Sequence, residues 1–123
     1  MHQGYKSFED LQAWQLARTF KNHLYGLTAK FPKEELYSLV SQLRRAAISI
    51  TANIAEGWGR YSYQENIQFC RIARGSVNEC LDHLYTALDQ GYIVKSQFDN
   101  LYAEGREVEH AINGYLKFLN SQR

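Results

Sequence analysis

The chain has 123 residues, of which 45% are hydrophobic and 22% charged, the size and makeup of one folded domain with a core of its own. A net charge of +1 excludes a global basic field that would draw the whole protein onto nucleic acid or membrane. The lone proline, Pro32, argues against an all-β or disordered chain, and no run of about 18 apolar residues is present to span a bilayer.

Ser7-Phe8-Glu9-Asp10 has the makeup of a helix start, with a serine cap and carboxylates at the positive helix end. A first helix is expected from there to about Ala29, its apolar stripe formed by Leu11, Trp14, Ala17, Phe20, Leu24 and Leu27 at three- and four-residue steps. Phe31-Pro32 breaks it, and proline fits the first turn of the next helix. That second helix is expected to run to Glu56, with Gly57 as a left-handed C-terminal stop. Leu36, Leu39, Leu43, Ala47, Ile50 and Ile54 make its core stripe, and Arg45, Ser49, Asn53 and Glu56 a polar stripe beside it. Its third side (Ser41, Ile48, Thr51, Ala52 and Ala55) is small and uncharged, where a surface helix should carry charge. This side, and Ile48, Thr51, Ala52 and Ala55 in particular, reads as a subunit interface.

Gly57-Trp58-Gly59-Arg60-Tyr61 forms an aromatic, glycine-rich turn. Ser62 followed by Glu65 is a capping box that opens a third helix to about Gln90, with Ile67, Cys70, Ala73, Val77, Leu81, Leu84 and Leu88 as its stripe. Gly91 ends it. A fourth helix starts near Ser96 and carries Phe98, Leu101, Tyr102, Gly105, Val108, Ile112, Tyr115 and Leu119. Four helices with short connections predict an all-α, antiparallel up-down-up-down four-helix bundle, a single domain over residues 1–123.

Motifs that carry chemistry are not found. His2, His23, His83 and His110 form no i, i+4 pair, and the sequence holds no CxxC, P-loop, dinucleotide fingerprint or nucleophile elbow. No enzyme activity, metal or cofactor is expected. Cys70 and Cys80 lie ten residues apart in one expected helix, about 15 Å, beyond disulfide reach. They read as core residues of a reducing compartment. With no apolar signal segment in MHQGYKSFEDLQAW, a cytoplasmic protein without a membrane partner is expected.

Charge is uneven along the chain. Residues 44–74 hold Arg44, Arg45, Arg60, Arg71 and Arg74 against Glu56 and Glu65. Arg44, Arg60, Arg71 and Arg74, with Trp58 and Tyr61, are the candidate surface for RNA or DNA, since arginine forks take phosphates and aromatic faces take bases. Arg45, Ser49, Asn53 and Glu56 read as a structural polar network, in which Arg45 or Arg60 pairs with Glu56 and Asn53 satisfies a loop backbone. The other reading makes them the wall of a cleft or partner site.

The motif Phe8-x-x-Leu11-x-x-Trp14, then Phe31-Pro32-Lys33-x-Glu35, then Leu39-x-x-Gln42-x-x-Arg45-Ala46-Ala47-x-Ser49-Ile50-x-x-Asn53-Ile54-Ala55-Glu56-Gly57-x-x-Arg60 resembles a family of small four-helix bundles. Its members include proteins encoded within intervening sequences of large-subunit ribosomal RNA genes. The likeness continues through Phe69-x-x-Ile72-Ala73-x-Gly75-Ser76-x-x-Glu79 and Gly91-Tyr92-Ile93. A relative of the same fold is the accessory variability determinant of diversity-generating retroelements, a homopentameric barrel that binds a reverse transcriptase and nucleic acid. The resemblance implies a homopentameric ring and an RNA-linked, non-enzymatic accessory role, with RNA and a reverse transcriptase as partners. The chain departs from the retroelement proteins in being near neutral.

Overall fold

A computed structural model describes residues 4–122. His2 and Arg123 lie outside the described residues. Four helices follow one another: α1 Gln12–Thr28, α2 Ser41–Trp58, α3 Tyr63–Asp89 and α4 Lys95–Gln122. No strand occurs among the described residues. Each helix packs on its neighbour in sequence, and α1 meets α4 to close the square. Pairs across the seams run in opposite directions. Lys21 and Tyr25 meet Thr51 and Arg44 between α1 and α2, and Asn66, Asn78 and Leu81 meet Tyr115, Glu109 and Gly105 between α3 and α4. The bundle is therefore antiparallel, up-down-up-down.

One layer of side chains fills the middle. Phe20, Leu24, Leu43, Ile50, Ile54, Val77, Leu84, Val108 and Ile112 are fully buried, each contributing roughly 1.5–3 kcal/mol of transfer free energy. Cys70 and Cys80 belong to this core, and burial pushes both thiols up to about 12. They are free and chemically quiet, since the reactive thiolate is scarce at neutral pH.

Three local features differ from the sequence expectation. The Ser7 start makes only a one-turn 3-10 helix, Phe8–Asp10. The Asp10 carboxylate accepts from the amides of Lys6 and Ser7 at 2.8 and 3.3 Å, and Leu11, in extended conformation, separates this turn from α1. The second helix is entered through a 3-10 turn, Lys33–Glu35, and a π-helical turn, Leu36–Val40. A π turn holds an extra residue, which rotates Leu36 off the core stripe and leaves it 47% exposed. Gly57 is not a left-handed stop. It lies within α2 and is buried, and a Cβ there would stand 2.6 Å from Asn66 Oδ1 and 3.1 Å from the Asn66 carbonyl oxygen. The glycine is needed for close approach of α2 to α3. A left-handed glycine does stand at the α3–α4 turn, Gly91 with φ +77°, and a second, Gly4 with φ +84°, precedes the first turn.

Ser62 caps α3 by accepting from the Glu65 amide at 3.1 Å, as the capping box predicts. At the opposite end of the bundle, the Tyr92 hydroxyl donates to Glu35 Oε2 at 2.7 Å. This bond ties the α3–α4 turn to the entry of α2. Hydrogen bonds from Ser38 and then Tyr92 hold the Glu35 carboxyl below the usual carboxylate range.

Candidate nucleic-acid interface

The four candidate arginines do not form one surface. Arg44 faces α1. Its Nε donates to Thr28 Oγ1 at 2.9 Å and its Nη2 to the Tyr25 carbonyl at 3.3 Å, while the guanidinium lies 4.5 Å from the Tyr25 ring centroid. Those contacts place a cation at the C-terminus of α1, where the helix dipole favours it. Arg44 is thus a half-buried helix cap, and its assignment to a nucleic-acid surface is corrected. Arg60 pairs with Glu56 at 2.9 Å and approaches Glu65 at 3.8 Å, and it sits 4.7 Å over the Phe69 ring. Its charge is balanced where it stands, at the turn joining α2 to α3.

Arg74 and Arg71 lie on α3 where it borders α4. Arg74 Nη1 donates to Asn113 Oδ1 at 2.8 Å. Arg71 is exposed and in no ion pair among the described residues. The Arg74–Asn113 contact sets the register. One turn further in the antiparallel pair, Arg71 comes level with Lys117, which is exposed and likewise without an ion pair among the described residues. The stretch of α3 from Asn66 to Asn78 contains no carboxylate, and neither does the chain from His110 onward. These two acid-free stretches pack on each other, as the Asn66 Nδ2 to Tyr115 hydroxyl bond of 3.0 Å records. The seam is bounded at one end by Glu109, which accepts from Asn78 at 2.9 Å and from Arg106 at 2.7 Å. Asn78 first, then Arg106, keeps the Glu109 carboxyl below its ordinary range. Lys117 was not among the residues the sequence pointed to. The paired acid-free runs are the signal that reveals it, once the register of α3 on α4 is known.

The two aromatic candidates differ. Trp58 is half-buried and meets the Tyr5 ring edge-on at 6.4 Å. Tyr61 stands free at the α2–α3 turn, 97% exposed.

The polar stripe of α2 divides into three. Arg45 donates to Gln42, one turn back on its own helix. Glu56 binds Arg60. Asn53 donates to the carbonyl and hydroxyl of Ser49 at 2.8 and 2.9 Å, and the Ser49 hydroxyl accepts from Ser76 at 2.8 Å. The expected single network is therefore corrected to a local α2–α3 seam, and Asn53 serves no loop. Of the interface candidates, Thr51 is buried in its own chain and accepts from Lys21 Nζ at 3.4 Å, so it is corrected out of that group. Ile48 is 45% exposed, Ala52 is exposed and Ala55 half-buried. Ser49–Ser76 aligns α2 with α3, which brings Ile72, also 45% exposed, and the exposed Gly75 beside this face.

Among the described residues no three His, Cys, Asp or Glu side chains come together as a metal site. No helix among the described residues is long and apolar enough to cross a membrane.

The fold is that of a crystal structure of a protein of unknown function from the S23 ribosomal protein family of Bacteroides thetaiotaomicron. The two are 22% identical, with a TM-score of 0.79 over 85% of this chain and 95% of that one. No curated protein matches the chain. Residues 9–114, which hold all of α1, α2 and α3 and most of α4, match the model of the 23S rRNA-intervening sequence protein family, and the chain belongs to that family.

Proposed function

We propose that this protein is a non-enzymatic, RNA-associated accessory protein of the cytoplasm that acts as a homo-oligomer. The acid-free seam of α3 and α4, with Arg71, Arg74 and Lys117 along it, is the observation that carries the RNA assignment. A net charge of +1 is no obstacle to a local patch, because charges beyond roughly 8–10 Å are screened at physiological salt. Membership in a family described by ribosomal RNA intervening sequences supports structured RNA as the partner. The resemblance to retroelement accessory proteins extends the proposal to a reverse transcriptase–RNA complex.

The outer side of α2 and α3 supports self-association. Ile48, Ala52, Ile72 and Gly75 form a small, apolar face with Arg45 and Glu56 at its edge, and a second copy of the chain would remove the two isoleucines from water. The resemblance supports five as the number of copies. A ring repeats the cationic seam once per copy, so that modest single sites gain avidity.

The test is RNA binding across a salt series. Wild-type protein binds structured RNA with an affinity that falls steeply with salt. Arg71→Ala with Lys117→Ala weakens it several-fold and flattens the salt dependence, because each lost phosphate contact releases fewer counterions. Binding unchanged in the double variant would overturn the seam as the site. Recovery of a protein partner that survives nuclease, with no RNA bound, would favour a protein-interaction scaffold instead.

A further inference from the structure

Building on the RNA reading, we infer that the seam and Tyr61 together take an unpaired stretch of RNA, with phosphates along Arg71, Arg74 and Lys117 and a base stacked on Tyr61. Antiparallel packing brings the end of α4 to the α2–α3 turn, so Tyr61 and the cationic row belong to the same end of the bundle. Tyr61 lies two residues before α3 begins at Tyr63, and Arg71 stands eight residues, about 12 Å, along the helix from that start. A strand of a few nucleotides spans that interval.

The form of the ligand follows from what each group can contact. A duplex keeps its bases stacked inside and presents phosphates, 2′-hydroxyls and a shallow groove. Proteins that read its shape do so over about 16 base pairs. The acid-free stretch of α3 is 13 residues long, roughly 20 Å, which is too short for that footprint. An aromatic ring that is 97% exposed has nothing to stack on in a closed duplex, whereas every unpaired base offers it a face. Of the nearby carboxylates, Glu56 and Glu65 both face Arg60, and Glu109, which also feels the Arg74 charge, is held by Asn78 and Arg106 at the far end of the row.

The experiment compares a labelled 20-nucleotide oligouridylate with a blunt 20-base-pair RNA duplex, longer than the roughly 16-base-pair footprint of duplex readers, by fluorescence anisotropy on the full chain at several salt concentrations. The single strand is expected to bind more tightly. Tyr61→Ala should weaken it about tenfold without changing the salt slope. Lys117→Ala should reduce that slope by about 0.7. Tyr37, 91% exposed at the opposite end of α2, is the control, and Tyr37→Ala should leave binding intact. These positions are exposed, and circular dichroism verifies that the variants fold. Equal or tighter duplex binding, with Tyr61→Ala silent, would overturn the single-strand inference and leave the RNA reading standing. Failure to bind either probe would overturn both.

Discussion

Gly57 carries more of this structure than its size suggests. Alanine is the better helix former by about 1 kcal/mol, so Gly57→Ala would stabilise an isolated α2. In the bundle the added methyl would stand 2.6 Å from Asn66 Oδ1. Asn66 has little room to yield. It is fully buried, donates to the Tyr115 hydroxyl at 3.0 Å, and accepts from the Cys70 thiol at 3.6 Å. Gly57→Ala should therefore destabilise the protein by about 1–3 kcal/mol, read as a lower urea midpoint. A gain in stability would show that α2 and α3 are less tightly apposed than described. Arg44 teaches a related lesson at this scale. On a helical wheel it is an arginine near the surface, and the Tyr25 carbonyl and Thr28 hydroxyl that hold it come from a different helix.

Among the elements, α3 shows the closest agreement between pattern and structure. Its capping serine, its apolar stripe and its end at Gly91 are all readable as residue types at fixed spacings. The entry to α2 is not. Leucines at 36, 39 and 43 fit an α-helical stripe, and an added residue in a π turn leaves no mark on composition. Gly57 fails for a different reason: a glycine near a helix end is equally suited to a left-handed stop or to a close contact, and only the position of Asn66 decides. In the candidate site, Arg71 was legible as an outward residue, whereas Lys117 required the register of α4. The link between Tyr92 and Glu35 was similarly hidden, and it makes the α2 entry sensitive to acid. The folded-state value of Glu35 lies below its ordinary value of 4.5. Its contribution is therefore complete above that value and is lost as pH falls through the lower, folded-state value. Glu35→Gln should lower the melting temperature at pH 7, and the gap from wild type should narrow as pH falls below 4.5. A gap independent of pH would mean that the carboxylate charge is not what the tie uses.

For the whole molecule, the proposed self-association rests on the outer face of α2 and α3. Much of the apparent second cover of α2 comes from its own chain, through Thr51 toward α1 and Ser49 toward α3. What remains is narrower, centred on Ile48, Ala52 and Ile72. A carboxylate introduced there would be desolvated without a partner in an assembly, yet would sit in water in a monomer. Ala52→Glu should thus shift the protein to smaller species in sedimentation velocity while preserving its helicity. An unchanged sedimentation coefficient would remove this face from the interface.

The α3–α4 seam also has a consequence for timing. As the chain leaves the ribosome, α1, α2 and α3 are complete before α4 emerges, and contacts between neighbouring helices form readily because their sequence separation is small. One wall of the seam belongs to the last of the four. Arg71 can be present on a nascent chain while Lys117 and Asn113 are still inside the exit tunnel. The cationic row is therefore a property of the finished bundle, and a partly synthesised copy lacks the Lys117 side of it.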